Sequence, residues 1–192
     1  MKKSILFVTI MLISYSVFCQ EKPVLSKKEQ RRIAKEQRKA EKARAEEEMR
    51  EITSLMIEYQ RFVLEANYVG DHRGNRVPVS NLLNFIAVDS NEVVLQLGSH
   101  FGVGINGVGG VTVEGKVSRY EVKKQEGKKG SSYYVLMYIQ SSAGMYDVSM
   151  NITPLGYADA TVRGTVSGQL RYSGKLVPLS KSKVYKGQTN YF

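Results

Sequence analysis

The spacing of hydrophobic and polar positions along the 192-residue chain changes near residue 60. Before this point Met49, Ile52, Leu55 or Met56, Tyr59 and Val63 recur every three or four positions, the spacing of one face of an α-helix. After it, short runs rich in valine, isoleucine, threonine and tyrosine are separated by turn residues, which is typical of β-strands. The pattern predicts an N-terminal helix whose apolar end docks on a β-domain.

About eight strands are predicted within this domain. They are RFVLEANYV (61–69), NFIAV (84–88), EVVLQL (92–97), VTVEGKVSRYEVKK (111–124), SSYYVLMYIQ (131–140), YDVSMNIT (146–153), YADATVR (157–163) and QLRYSGKLVPL (169–179). The connections are short and no helical pattern separates the strands, so the sheet should be mainly antiparallel. The predicted fold class is therefore mainly β, an antiparallel barrel or sandwich of about eight strands preceded by one long N-terminal α-helix.

A charged arm precedes the apolar stripe, over residues 20–48. It consists almost entirely of Lys, Arg, Glu, Gln and Ala, which are strong helix formers, and Ser26 with Glu29 matches the capping box at a helix start. Ile33 is the only large aliphatic residue between Lys27 and Arg44. The arm is coiled-coil-like in composition, but it lacks sustained apolar a and d positions, so a solvated helix is expected.

The first 19 residues are predicted to be a signal peptide. Lys2 and Lys3 precede an uncharged apolar run over residues 5–18, shorter than the ~20 residues of a membrane-spanning helix. Cleavage between Cys19 and Gln20 would place the protein in the periplasm or cell envelope, with no transmembrane span in the mature chain. The alternative is lipidation of Cys19, although Phe18 stands where that pathway prefers a small residue.

Charge and cysteine content limit the possible partners. Cys19 is the only cysteine, so cleavage after it leaves no disulfide or thiol chemistry. Without Lys2 and Lys3 the formal charge falls from +10 to +8. Export makes nucleic acid an unlikely partner and favours an anionic envelope surface or an envelope protein, while solubility alone also accounts for the charge. The β-domain is assigned to 49–179, and 180–192 is a basic tail or a weak edge strand.

A glycine-rich segment, FGVGINGVGG (101–110), contains the spacing GxGxxG. A dinucleotide-binding loop leads from a strand into a helix that receives the phosphates, whereas here the strand-like VTVEG follows. The segment is therefore predicted to be a hairpin connection or barrel rim, and a lid over a cavity is the functional alternative. The candidate loop residues for a ligand or partner are Phe101, Gly102, Gly104, Gly107 and Gly110.

Residues that would indicate catalysis are sparse. His72 and His100 are the only histidines, and neither has carboxylates at a metal-binding spacing. No GxSxG or HExxH pattern is present. The sequence predicts no enzyme activity, no cofactor and no metal. A hydrolase would require one histidine to lie beside a carboxylate within a cleft.

Tyrosines provide the remaining candidate site. SYYVLMYIQ places Tyr134 and Tyr138 on one face of a strand, and the opposite face is also apolar. Packing between a core and a partner explains both faces, and so does a barrel that encloses a small hydrophobic ligand. In the second case Tyr134 and Tyr138 are the candidate cavity lining.

Several motifs in this order resemble a secreted family of Gram-negative bacteria, domain of unknown function 4251. They are FVLEANY, GGVTVEGKVSRYEVKK, YDVSMNITPLGYADATV and LRYSGKL, and the resemblance covers residues 50–179. It implies a small, mostly β, periplasmic or envelope-associated domain and brings no catalytic or ligand residues. The leading functional hypothesis is a non-catalytic binding or structural protein with a helical arm. The alternative is a barrel for a lipid or small hydrophobic ligand, with the glycine segment at its mouth.

Overall fold

A computed structural model describes residues 26–98, 109–165 and 168–187. Helix α1 spans Lys27–Glu58. The strands that follow are β1 (Arg61–Gly70), β2 (Arg76–Pro78), β3 (Phe85–Asp89), β4 (Glu92–Leu97), β5 (Val111–Gln125), β6 (Ser132–Ser141), β7 (Gly144–Ile152), β8 (Tyr157–Gly164) and β9 (Gln169–Pro178). A short 3-10 helix, Leu179–Lys181, comes after β9.

The strands form a closed antiparallel barrel. From β3 to β9 each strand pairs with its successor in the chain, and β1 pairs with β3 on one side and β9 on the other. Eight strands thus close the barrel, and the short β2 is added beside the far end of β1. The predicted fold class is confirmed, and the barrel is the correct one of the two architectures. The three-residue β2 is too short to have produced an alternating pattern.

The hydrophobic core fills much of the barrel interior. Alternate residues of each strand point inward because side chains alternate between the two faces of a sheet. The largest fully buried apolar side chains of this cluster are Phe62, Leu64, Ile86, Met137, Ile139, Met150, Ile152 and Leu176. The antiparallel register brings these residues from distant parts of the chain into one cluster.

The last turns of α1 close one end of the barrel. Thr53, Met56 and Ile57 are buried, and the two apolar side chains belong to the same core cluster as the strands. The Tyr120 hydroxyl on β5 donates a hydrogen bond to the Ile57 carbonyl oxygen at 3.1 Å. Of the two alternatives in the predicted stripe, Met56 is the buried one and Leu55 is exposed, while Tyr59, which the stripe also included, is exposed.

The start of α1 has the predicted capping box. The Glu29 amide donates to the Ser26 hydroxyl oxygen at 3.3 Å, and the Ser26 amide donates to the Glu29 carboxylate at 3.0 Å. Together these bonds satisfy two amide groups that a helix start would otherwise leave unpaired.

The segment after β9 is anchored by the buried side chain of Gln96 on β4. The Gln96 amide nitrogen donates to the carbonyl oxygens of Leu83 and Tyr185, at 3.0 and 2.8 Å. Its side-chain oxygen accepts from the Thr112 hydroxyl and from the Gly187 amide, at 3.1 and 2.7 Å. Residues 182–187 have no strand assignment, and these bonds attach them to the barrel wall.

In the β1–β9 pair that closes the barrel, the two backbones approach each other closely at Gly174. A Cβ atom at this position would overlap the carbonyl oxygen of Glu65 and would also lie within van der Waals distance of Ala66. The β1–β9 register shifts between Ala66 and Tyr68, which marks a β-bulge. Glycine inside a strand commonly marks a bulge or a close approach of two backbones. The closing seam therefore depends on the missing side chain at this position.

Replacing Gly174 with alanine should weaken this seam. Because the new methyl group would overlap backbone atoms of β1, we expect Gly174→Ala to lower the free energy of unfolding by about 3 kcal/mol. Urea denaturation followed by circular dichroism measures this change. Gly168→Ala is the matched control, because none of the described residues beyond its chain neighbours has an atom within 4 Å of the added Cβ. Equal stability of the two variants would contradict the role of Gly174.

Candidate functional site

An apolar cavity of about 310 Å³ lies within one end of the barrel. This end is formed by the end of β4, the beginnings of β5 and β9, and the end of β8. It lies opposite the end that α1 closes. The lining residues are His72, Leu95, Leu97, Val111, Val113, Tyr146, Val162, Gly164, Gly168, Gln169, Leu170 and Tyr172.

The pairing register of the strands determines which apolar residues lie side by side in the cavity wall. Leu95 lies opposite Val113 in the β4–β5 pair, and Leu97 lies opposite Val111. On the other side of the cavity, Val162 of β8 lies opposite Leu170 of β9. Glycine residues at the rim, Gly164 and Gly168, contribute no side-chain volume. The cavity walls are consequently aliphatic, with space at the rim.

Tyr172 is the most deeply buried polar side chain of the lining. It is 2 % exposed, and its hydroxyl donates a hydrogen bond to the Gln96 carbonyl oxygen at 3.3 Å. Burial raises the pKa of Tyr172 because the phenolate would lose its hydration. Tyr172 therefore contributes an uncharged ring to the cavity wall, and its hydroxyl already has a hydrogen-bond partner within the protein.

His72 reaches the cavity from the turn between β1 and β2. The neighbouring Asp71 carboxylate fixes this turn, because it accepts from the amides of Arg73 and Asn75 at 2.8 and 3.0 Å and from the Asn75 side chain at 2.7 Å. The Asn75 side-chain hydrogen bond is the main cause of the lowered pKa of Asp71. A hydrogen-bonded turn thus places His72 at the rim.

A metal site and a groove on the outside of the barrel are weaker candidates for the functional site. Within the ranges that the structure describes, no cluster of three or more His, Cys, Asp or Glu side chains could hold a metal ion. A groove of about 550 Å³ runs over β4, β5 and β6, but its lining includes Glu92, Glu114, Lys116 and Lys186. The inner cavity is the better ligand site because its lining is mainly apolar and enclosed by the barrel.

A family model described as "Domain of unknown function (DUF4251)" matches residues 43–176. This range contains α1 from residue 43 onward and most of the barrel, and it covers more than half of the chain. The chain belongs to the DUF4251 family. The resemblance inferred from the motif order is therefore confirmed.

The DUF4251 fold is also present among solved structures. A crystal structure of a DUF4251 family protein from Bacteroides eggerthii is 28 % identical to this chain, with a TM-score of 0.56. The match covers 70 % of this chain and 90 % of that protein. A comparison with curated proteins found no match. Among the described residues, none of the helices is both long and apolar enough to cross a membrane.

The tyrosines singled out from the sequence lie on the outer face of the DUF4251 barrel. Tyr134 is 38 % exposed, and the guanidinium of Arg119 lies over the Tyr138 ring at 5.6 Å. Neither side chain lines the cavity, because the opposite face of β6 points inward. The cavity is lined instead by Tyr146 and Tyr172.

The alternation of apolar and polar residues along β7 and β9 indicates that Tyr146 and Tyr172 point into the barrel. Tyr146 shares its strand face with the buried Val148 and Met150, and Tyr172 shares its face with Leu170 and Leu176. Each of these faces is apolar while the opposite face is largely polar. By contrast both faces of β6 are apolar, so its sequence does not distinguish inside from outside.

Most residues of the predicted glycine loop lie outside the described residues, namely Phe101, Gly102, Gly104 and Gly107. So do His100 and the predicted cleavage position between Cys19 and Gln20. Gly110 is described and precedes Val111 of the cavity lining. A Cβ at Gly110 would overlap the carbonyl oxygen of Leu97, so this glycine permits a close approach of the chain beside the cavity.

Burial of Tyr172 should make the stability of the DUF4251 domain sensitive to alkaline pH. Tyrosines of the unfolded chain titrate near pH 10, and the raised pKa of Tyr172 keeps it protonated in the folded state. Above about pH 10 the unfolded state alone releases this proton, so stability falls by up to ~1.4 kcal/mol per pH unit for this group. Tyr172→Phe should reduce this slope in urea denaturation between about pH 9 and 12.

The exposed Tyr59 provides a matched control, since Tyr59→Phe removes the same hydroxyl from an exposed side chain just after α1. The buried Tyr120, whose pKa is also raised by burial, contributes to the total slope in every variant. An unchanged slope in Tyr172→Phe would show that this hydroxyl does not carry the predicted pH dependence.

Proposed function

We propose that this DUF4251 chain is a non-catalytic binding protein of the cell envelope, and that its barrel holds a small, largely apolar molecule. The cavity of about 310 Å³ is the observation that supports this most directly. Its volume is near the lower end of the ~300–1,000 Å³ typical of small-molecule sites. Transfer of an apolar ligand from water into this space is favourable by roughly 25 cal/mol per Å² of apolar surface buried.

The filled remainder of the barrel limits where the ligand can bind. Core side chains such as Phe62 and Met150 are fully buried, and Met56 and Ile57 of α1 pack into the same cluster. A ligand would therefore bind at the end opposite the helix. It would contact Leu97 and Val111 on one side and Val162 and Leu170 on the other, as these residues line the cavity.

His72, at the rim of the cavity, suggests the chemistry of the ligand's polar end. Gln169 lies on the face of β9 opposite Leu170 and Tyr172, where its side-chain oxygen accepts a hydrogen bond from Arg163 at 3.1 Å, so its side chain is not assigned to the ligand. His72 can donate from one ring nitrogen in its neutral form. We infer a ligand with an apolar body and one hydrogen-bond acceptor, such as a carbonyl, ether or hydroxyl oxygen.

Fluorescence of N-phenyl-1-naphthylamine tests the cavity. This neutral apolar probe should bind the wild-type protein with an increase in emission. Because a phenylalanine at position 162 would occupy part of the cavity, Val162→Phe should weaken probe binding about tenfold or more. Val77→Phe makes the same chemical change on β2, where the side chain is 57 % exposed, and should leave binding unchanged.

A second filling variant covers the case in which Val162→Phe does not fold. Val111→Phe lies at the rim, where Val111 is partly exposed, and circular dichroism checks that the strands remain. If the wild-type protein does not bind the probe, or if both folded filling variants bind it as well as wild type does, the cavity is not a binding site.

Export to the envelope is the second part of the proposal. It is supported by the basic start and uncharged apolar run of residues 2–18 and by the polar residues that follow. Cell fractionation should recover the protein in the envelope fraction, and the mass of the mature protein should correspond to a chain that begins at Gln20. A mass that includes diacylglycerol on Cys19 would replace cleavage with lipid anchoring, and cytoplasmic recovery of the full chain would contradict export.

A further inference from the structure

The first half of α1 carries its positive charges on one side. A helix turns about 100° per residue, and at this spacing seven cations fall within an arc of about 140°. The two acidic residues of the same stretch, Glu29 and Glu36, fall outside this arc. We call this surface the basic face; it consists of Lys27, Lys28, Arg31, Arg32, Lys35, Arg38 and Lys39.

The arrangement is unfavourable for an isolated helix. Seven pairs of cations within the basic face are three or four residues apart, and such like-charge pairs destabilise a helix. Opposite charges at these spacings form three pairs, Glu29 with Arg32, Arg32 with Glu36, and Glu36 with Lys39. A helix that only needed solubility would gain more from alternating signs, so the segregation points to an anionic partner.

The cations of the basic face are also accessible. Every one of these side chains is exposed. Five of them, Lys27, Lys28, Arg31, Arg32 and Lys35, together line a surface depression on the helix. Within the stretch that the structure describes from residue 27 to 39, none of these cations forms an ion pair with an acidic side chain.

We propose that the basic face binds the surface of an anionic lipid bilayer. Its 13 residues extend over about 20 Å at 1.5 Å per residue, and a flat surface of phosphate groups can contact all of its cations at once. Arginine binds phosphate oxygens in a bidentate manner, and lysine adds a point charge. Clusters of four to eight such residues on a helix are attracted to anionic lipids.

Contact with the bilayer is electrostatic and does not require insertion. Ile33 is the only large aliphatic residue of this stretch, and it lies on the side opposite the basic face. A membrane-inserted helix would instead need a broad apolar face. Binding should therefore be reversible and sensitive to salt.

The position of the arm in the chain favours a bilayer over nucleic acid. The basic face begins eight residues after Cys19, the end of the predicted signal peptide. Export would bring the arm into a compartment bounded by membranes and away from nucleic acid. This inference is independent of the barrel cavity, because the basic face lies within the unit before residue 44 and the cavity lies within the unit after it.

Vesicle sedimentation with the mature protein, residues 20–192, tests the proposal. The protein should bind vesicles of phosphatidylcholine and phosphatidylglycerol in equal parts and should not bind phosphatidylcholine alone. Raising the ionic strength from about 0.1 M to about 1 M shortens the Debye length from ~10 to ~3 Å and should release the protein. The triple variant Arg31→Gln, Arg32→Gln, Lys35→Gln should bind about tenfold or more weakly.

A control variant removes three positive charges from the barrel, as many as the triple variant removes from the arm. Lys123, Lys128 and Lys129 are exposed on β5 and the turn after it, and replacing all three with glutamine should leave vesicle binding nearly unchanged. Glutamine is as good a helix former as lysine or arginine, so circular dichroism should show the same helix content in the arm variant. Cavity-filling variants should bind vesicles as wild type does, which separates this proposal from the proposed ligand site.

Two results would overturn the inference. One is equal vesicle binding by the wild-type protein and the triple arm variant, which would place the attraction outside the basic face. The other is no binding of the wild-type protein to anionic vesicles. If the protein instead binds a short DNA duplex and the arm variant does not, the basic face is a nucleic-acid surface.

Discussion

The close backbone contact between β1 and β9 is the constraint on which the barrel depends. These strands are separated by most of the domain in sequence, so their pairing closes a long loop, and it forms only because Gly174 leaves room for the carbonyl of Glu65. Without this pairing the same strands would form an open sheet with two exposed edges. The cavity depends on closure as well, because its lining on β8 and β9 lies across the interior from its lining on β4 and β5.

The two ends of the barrel differ in their packing. At one end Met56 and Ile57 of α1 complete the hydrophobic core, and at the other end a cavity remains, with Gly164 and Gly168 at its rim. Close packing at the helix end provides stability, so the cavity end can be less completely filled. This division is consistent with a domain in which a ligand is not needed to complete the core.

Local patterns predicted much of the fold and less of the candidate site. The capping box at Ser26 and the short connection between strands β3 and β4 depend on neighbouring residues, so the sequence reveals them. The inward face of β6 depends on its register with β5 and β7, and Tyr134 and Tyr138 were chosen on a strand whose two faces are both apolar. Gly174 carried no local signal at all, because its neighbour in space is more than a hundred residues away in the chain.

The hydrogen bonds of the Gln96 side chain show that the folded domain extends beyond its last strand. Two of its four hydrogen bonds go to Tyr185 and Gly187, beyond the last strand and beyond the family match, which ends at residue 176. Cutting the chain after Pro178 would leave a fully buried amide with half of its partners, and an unmatched buried polar group is costly. The smallest autonomous unit is therefore longer than the barrel itself, and expression boundaries for this domain should extend through Gly187.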